Sequence, residues 1–252
     1  MDDRKQLWEE IGTSEAYWAV ATHDKFRAAN LNSELKEDFL ESGREHIDEV
    51  WQTFRGLLGR DLRPEHAIDY GCGVGRLVIP LAQRSEQAIG VDISSAMLKE
   101  AAQNAEAAGC SNIALQTVDE FIRDEAAEYD LVHTYIVLQH IDPAIGYSVI
   151  EKLLERLKVG GYAMIHTTFK DTSPFFGRMR ARVYRDVPGV HRTLNLIRGR
   201  HVPFVPVYTY DDSRVRAIFK KHGAEVMLEK DTDHSLLGKM FFLRRGPSSD
   251  QA

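Results

Sequence analysis

The stretch AIDYGCGVGRLVIPLA, from Ala67 to Ala82, constrains the fold of this chain more than any other segment. A short apolar run with one acid, Asp69, leads into glycines at alternating positions, Gly71, Gly73 and Gly75, and a helix-like pattern follows. Glycine lets a ligand approach the main chain, and the N–H groups at a helix N-terminus attract negatively polarised groups. The stretch therefore predicts a strand, a bare turn and a helix around a nucleotide-like ligand.

Short apolar segments alternate with helix-like patterns along much of the chain. An amphipathic helix is predicted from Ser33 to Gly59, where apolar residues recur every three or four positions. Strands are predicted at HAIDYG, QAIGVD, NIALQTV, YDLVHTY and GYAMIHTTF, with helices between them, the last around Tyr147 to Leu157. Parallel strands need crossover helices and are buried on both faces, so this alternation predicts an α/β, doubly wound sheet.

The end of the chain breaks this alternation. A helix from Asp212 to His222 leads to the strands AEVMLEKD and KMFFLRR, with only a short loop containing Gly238 predicted between them. So short a connection joins antiparallel strands. We therefore expect a Rossmann-like sheet of seven strands, mostly parallel, with an antiparallel last strand.

One core domain with appendages is expected. A chain of 252 residues with 43% hydrophobic composition buries one sizeable core. The predicted segments are an N-terminal helical lid (1–60), a ligand-binding core (61–169), a basic insertion on the substrate side (170–207), a helix and strands that complete the core (208–246) and a tail (247–252).

Composition also predicts the compartment and disfavours some partners. Cys72 and Cys110 are the only cysteines, which is typical of a reducing compartment. The opening MDDRKQLWEE mixes charges of both signs, and no segment approaches the ~20 apolar residues of a membrane span, so a cytoplasmic location is expected. A formal charge of -6 disfavours nucleic-acid binding.

Two ligand classes compete for the glycine turn. A dinucleotide fingerprint reads G-x-G-x-x-G, but after Gly71 and Gly73 the third position is Arg76, and Gly75 comes one residue early. The spacing disfavours a nicotinamide dinucleotide, and with it an NAD-dependent oxidoreductase.

The pattern D-x-G-x-G-x-G instead resembles motif I of the class I S-adenosylmethionine-dependent methyltransferases. The resemblance continues in order through IGVDISSAML, QTVDEF, EYDLVHTYIVLQHID and LERLKVGGYAMI, and covers Ala67 to Thr168. Within the family the chain is most similar to small-molecule methyltransferases of the ubiquinone-biosynthesis type. The resemblance implies S-adenosylmethionine (SAM) as cofactor and S-adenosylhomocysteine (SAH) as its product.

The resemblance also implies which residues hold the cofactor. Asp92 is expected to accept from the ribose hydroxyls, Asp69 to organise the turn and meet the cationic amino group, and Ile93 with Met97 to sandwich the adenine. Taken alone, Asp92 also fits the acid at a helix N-terminus. The complete expected set is Tyr17, Trp18, Asp69, Gly71, Cys72, Gly73, Arg76, Asp92, Ile93, Met97, Asp119, Glu120 and Thr134. For Tyr17 and Trp18, in the lid, ordinary helix packing is an equal alternative.

Histidines follow the strands at the edge where open α/β sheets bind ligands. Methyl transfer is an in-line displacement, so the enzyme mainly aligns the acceptor and excludes water, and a base is optional. His140 is the predicted general base, with a pKa near the usual value for histidine; the alternative is that it only bonds a loop carbonyl. Tyr135 and His166 are expected to contact the acceptor, while His133 is expected to be a buried strand residue.

The segment from Lys170 to His201 is strongly basic. It carries eight Lys/Arg residues against two Asp residues. Arg178 and Arg182 are expected to bind an anionic group of the acceptor, such as a lipid or nucleotide-sugar phosphate, or to meet an anionic membrane surface peripherally. The alternative is a solvated basic face.

The sequence thus predicts SAM-dependent methyl transfer to an O or N atom of a small-molecule or lipid- or sugar-linked acceptor, with an anionic acceptor as one option. The alternative from another class is a SAM-binding protein without catalysis. No spacing of His, Asp or Cys predicts a metal site, and no oligomeric state is predicted.

Overall fold

A computed structural model describes residues 3–21, 23–174, 176–177, 179, 183–184, 204–233 and 236–247. In these ranges seven strands form one sheet in the order β3-β2-β1-β4-β5-β7-β6. The strands are β1 (His66–Tyr70), β2 (Gln87–Asp92), β3 (Ile113–Thr117), β4 (Tyr129–Thr134), β5 (Leu157–Asp171), β6 (Ala224–Asp233) and β7 (Leu236–Arg245).

Helices cover both faces of this sheet. They are α1 (Asp3–Ser14), α2 (Ala16–Ala21), α3 (Ser33–Leu58), α4 (Val78–Ala82), α5 (Ser95–Ala107), α6 (Val118–Arg123), α7 (Pro143–Glu155) and α8 (Asp212–Lys221). The strands β1 to β5 pair in parallel, whereas β7 lies antiparallel to both β5 and β6. The predicted fold class is confirmed.

Local chemistry explains the helix boundaries. The α3 helix begins after Asn32, whose side chain accepts from Leu35 N, and ends at Gly59 with φ of 66°. The α7 helix begins at Pro143, a full turn before the predicted start, because Asp142 caps it and proline is favoured in the first helical turn.

The loop predicted between the last two strands is wrong in position. Gly238 lies inside β7, where an added Cβ would come within 2.5 Å of the Thr167 carbonyl oxygen, so close strand packing explains the glycine. Asp119 and Glu120 lie in the first turn of α6, because Thr117 ends β3 and forms a capping box with Glu120.

The sheet buries a different apolar cluster on each face. One face packs against α6, α7 and α8 through residues such as Tyr70, Phe121 and Phe219. The other packs against α3 and α4 through residues such as Phe54, Leu81 and Phe242. In the described part of the chain, no helix has the length and apolar character needed to cross a membrane.

Candidate cofactor and active site

A cavity of about 420 Å³ lies at the carboxyl edge of the sheet, where open α/β sheets bind ligands. Its walls come from the ends of β1 and β2, the loop after β4, and the helices α1, α6 and α7. Its lining includes Arg4, Lys5, Trp8, Tyr70, Gly71, Asp92, Ile93, Val118, Asp119, Phe121, Val137, His140, Ile141, Ile145 and Lys152.

The glycine turn is bare because there is no room for side chains. Gly71, Gly73 and Gly75 have φ of 82°, 53° and 91°. An added Cβ at Gly71 would lie 2.3 Å from Val137 Cγ2, and one at Gly73 would lie 2.9 Å from Val20 Cγ2. Left-handed backbone and close packing together explain why the glycines alternate.

Asp92 is fixed at the end of β2 by two backbone donors. Its Oδ2 accepts from Gly73 N and its Oδ1 from Ser94 N, each at 2.9 Å. Burial raises the pKa of this carboxyl to about 6, although both backbone hydrogen bonds oppose the rise. A carboxylate held this firmly on the cavity wall is preorganised to accept hydroxyl donors.

Asp69 and Arg76 flank the turn on the side of α3. Asp69 is 1% exposed, and its Oδ2 is buried without a hydrogen-bond partner among the described residues. The same holds for Arg76 Nε, while Arg76 Nη1 donates to the Ser42 carbonyl at 3.5 Å. Burial lowers the pKa of Arg76, and the negative charge of Asp69 opposes that. A buried carboxylate oxygen and a buried guanidinium nitrogen without hydrogen-bond partners among the described residues thus flank the turn, although neither residue lines the cavity.

His140 lies on the cavity wall with a defined tautomer. Its Nδ1 is 3.3 Å from the Pro206 carbonyl, and its Nε2 is 3.2 Å from Gln139 Nε2. The carbonyl requires a proton on Nδ1 and the amide N–H requires a lone pair on Nε2, so the ring is neutral. Burial lowers the pKa of His140 to about 4, below the value expected from sequence. The predicted loop-carbonyl bond is present, and His140 lines the cavity as well.

Helix α1 forms one wall of the cavity. Lys5 Nζ lies 2.9 Å from Asp119 Oδ2, and the rings of Trp8 and His140 meet edge to face at 5.5 Å. Glu9 Oε2 accepts from the hydroxyl of Ser94 at 2.9 Å. No sequence pattern predicted that these α1 residues lie at the cavity, because charged residues and one tryptophan near the N-terminus do not form a recognisable motif.

The predicted lid aromatics lie elsewhere. Tyr17 is buried and donates to Glu100 Oε1 at 2.6 Å, and Trp18 packs under Arg27, whose guanidinium carbon is 3.9 Å from the ring centroid. Neither lines the cavity. Both residues pack within the N-terminal helices, and the N-terminal aromatic residue that lines the cavity is Trp8.

Of the other expected cofactor residues, some line the cavity and others point away from it. Ile93 and Asp119 line it, whereas Met97 is buried against Ile11 and Val74 because that face of α5 packs on the N-terminal helices. The Glu120 carboxylate is used in the cap of α6.

Two further expected residues are buried at the ends of β1 and β4. Cys72 is packed behind the turn, and burial raises the pKa of its thiol. Thr134 is fully buried, and its Oγ1 has no hydrogen-bond partner within the described ranges.

The expected acceptor residues Tyr135 and His166 are close together. Their ring centroids are 5.2 Å apart, and Tyr135 also stacks on His46 of α3 at 4.0 Å. His166 Nε2 lies 2.9 Å from Thr232 Oγ1. Arg178 and Arg182, the other two expected acceptor residues, lie outside the described residues.

Three residues of the types that bind metals lie together at the amino edge of the sheet, opposite the edge that holds the cavity. In the described ranges, only Glu65, His66 and Asp130 bring three possible ligand atoms within 4.8 Å of one another. The ammonium of Lys158 lies 3.0 Å from Asp130 and 3.8 Å from Glu65. One ammonium group therefore already pairs with both carboxylates.

Residues 67–161, which include the glycine turn and Asp92, match the family model described as a methyltransferase domain. Over these residues the chain is similar to that methyltransferase domain. The match runs from β1 to the start of β5, includes the loop that carries His140, and agrees with the resemblance expected from the sequence.

Curated relatives are similar to this chain over part of its length. The ubiquinone biosynthesis O-methyltransferase of Acinetobacter baylyi is 28% identical over 148 residues, 58% of this chain and 55% of the relative. The chain thus spans about half the length of the curated relatives it matches.

Two solved structures share the fold. The magnesium protoporphyrin IX methyltransferase of Synechocystis, solved with bound SAH, has a TM-score of 0.62 at 21% identity and covers 96% of this chain and 98% of its own. A SAM-dependent methyltransferase from Methanosarcina mazei has a TM-score of 0.54 at 13% identity, over 72% of this chain and 92% of its own.

Proposed function

We propose that this chain is a class I S-adenosylmethionine-dependent methyltransferase that transfers the methyl group of SAM to a hydroxyl oxygen of a small-molecule acceptor. The observation that carries the proposal is Asp92, anchored by two backbone N–H groups on the wall of the cavity beside the glycine turn. Relatives named O-methyltransferases favour oxygen over nitrogen as the atom methylated.

In this proposal each end of the cofactor has its own partners. The ribose hydroxyls donate to Asp92 in charge-assisted hydrogen bonds. The adenine lies among apolar walls that include Ile93 and Val137, with Asp119 at its edge. The amino group meets Asp69 Oδ2 and the carboxylate meets Arg76 Nε, which are two of the buried atoms that have no hydrogen-bond partner within the described part of the chain.

The reaction needs alignment and one proton acceptor. The acceptor oxygen attacks the methyl carbon, the carbon–sulfur bond breaks, and its electron pair goes to sulfur. The hydroxyl proton passes to His140 Nε2, which exchanges its bond to Gln139 for one to the acceptor. Tyr135 and His166 hold the acceptor from the strand ends.

The acceptor is proposed to carry an anionic or lipid-linked group, because the basic insertion follows β5 and the cavity mouth adds Arg4, Lys5 and Lys152. A ring compound of ubiquinone biosynthesis accords with the relatives' names. Replacing Arg178 and Arg182 by Ser should impair turnover of such an acceptor and leave SAM affinity intact. A fall in SAM affinity with unchanged acceptor kinetics would assign the insertion to the cofactor.

A cytoplasmic location remains part of the proposal, supported by the two free cysteines.

Calorimetry and a transfer assay test the proposal together. SAM and SAH should bind and NAD should not, since the glycine spacing and Asp92 suit the former. Label from methyl-tritiated SAM should appear in a panel of hydroxylated aromatic acceptors. SAH binding without transfer to any acceptor would favour the non-catalytic alternative, and NAD binding would overturn the cofactor assignment.

A further inference from the structure

His133 occupies the middle of a buried polar chain between the sheet and α3. It is fully buried, and its Nδ1 lies 2.8 Å from Asp69 Oδ1, because Asp69 and His133 are partners in the pairing of β1 with β4. Its Nε2 lies 3.2 Å from His46 Nε2 on α3. A carboxylate, an imidazole and a second imidazole therefore follow one another from strand to helix.

The proton positions follow from the partners. A carboxylate only accepts, so His133 Nδ1 carries the proton that Asp69 receives, and His133 Nε2 is the lone-pair nitrogen that accepts from His46. This bond occupies one oxygen of Asp69 and fixes the plane of the carboxylate, as outer partners orient the inner ligands of a metal. The other oxygen, Oδ2, is buried and has no partner among the residues described.

One turn of α3 holds both Asp69 and Arg76 in place. Ser42 and His46 are four residues apart and share a helix face. Ser42 accepts from Arg76 Nη1 through its carbonyl and its hydroxyl, at 3.5 and 3.4 Å. Between them is Gly43, where an added Cβ would lie 2.1 Å from the Arg76 carbonyl oxygen, so the helix rests directly on the turn.

We propose that His133, supported by His46, is a positioning residue that sets Asp69 to receive the amino group of the cofactor. The same α3 turn sets Arg76 for the carboxylate through Ser42. The site therefore selects adenosine compounds that carry an amino-acid end. This inference rests on the proposed function, since it assumes that the cavity takes SAM or SAH.

Two ligands that differ only at that end test the proposal. SAH carries the amino acid, whereas 5′-methylthioadenosine has the same adenosine and sulfur without it. In calorimetry, His133→Leu should weaken SAH binding about 10- to 100-fold, the loss typical when the orienting partner of a metal ligand is removed. Binding of 5′-methylthioadenosine should be unchanged. Equal losses for both ligands, or no loss for SAH, would overturn the proposal.

Conservative variants separate positioning from a merely structural role. His133→Asn places an amide N–H where Nδ1 stands and should restore most of the SAH affinity. If His133→Leu does not fold, His46→Phe retains the stacking on Tyr135, removes the donor to His133, and should weaken SAH alone. If His46→Phe affects both ligands equally, the proposal fails.

Controls keep this result distinct from the proposed function. His222 is a buried histidine at the end of α8, and His222→Leu should leave the affinities for both ligands unchanged. If the unaltered protein binds neither ligand, the proposed function itself fails. If it binds both and His133→Leu does not discriminate between them, only the positioning role is rejected.

Discussion

Asp92 offers the sharpest test of the cofactor site, because its chemistry predicts both a magnitude and a pH dependence. In Asp92→Ala the ribose hydroxyls lose a charged acceptor. Hydrogen bonds to charged groups contribute about 1.5–3 kcal/mol. The dissociation constant for SAH should therefore rise about 10- to 150-fold at neutral pH, since 1.4 kcal/mol is a factor of ten.

The pH dependence follows from the raised pKa of the same carboxyl. Burial raises the pKa of Asp92 to about 6 in the unliganded protein, so a proton is held there at pH values where ordinary carboxyls are ionised. The ribose needs the ionised form. SAH affinity should be constant above about pH 6 and fall up to tenfold per pH unit below it.

Calorimetric titration with SAH between about pH 5 and pH 8 measures both effects, and circular dichroism at each pH confirms that the protein stays folded. Asp231→Ala is the matched control, because Asp231 is an exposed carboxylate on β6, away from the cavity. An unchanged dissociation constant in Asp92→Ala would refute the ribose contact. If Asp92→Ala still loses SAH affinity as the pH falls below about 6, another titrating group causes the pH dependence.

Other substitutions test the turn and the wall. Gly71→Ala should abolish SAH binding or destabilise the fold, measured by calorimetry and thermal unfolding, because φ of 82° strains any other residue and a Cβ there meets a neighbouring side chain at 2.3 Å. His140→Ala should lower kcat about 100- to 10,000-fold with SAM affinity retained. Because the His140 pKa is lowered to about 4, the wild-type rate should fall on the acid side of its pH profile only near pH 4. A fall in the rate near pH 6.5 would contradict this assignment. Trp8→Ala should open the cavity to water and raise the His140 pKa toward its usual value, which an NMR titration measures. An unchanged pKa would show that Trp8 does not shield His140 from solvent.

The sequence predicted what depends on local patterns. The strand, glycine turn and helix around Gly71 are set by neighbours in the chain, and Asp92 follows from the end of the next strand. The partner of His133 on α3 is 87 residues away, and no periodicity in either segment indicates that contact. Met97 shows the same limit, because its burial depends on how α1 and α2 pack against α5.

Strand alternation explains why the cofactor site draws on both faces of the sheet. Asp69 and Tyr70 are consecutive in β1, so their side chains point to opposite faces. Tyr70 lines the cavity beside α6 and α7, while Asp69 meets His133 on the α3 side. The glycine turn begins at the next residue and passes between these two environments. The proposed cofactor suits that division, because apolar walls can stack on the faces of its aromatic adenine at one end, and a carboxylate with a guanidinium can pair with its zwitterionic amino acid at the other.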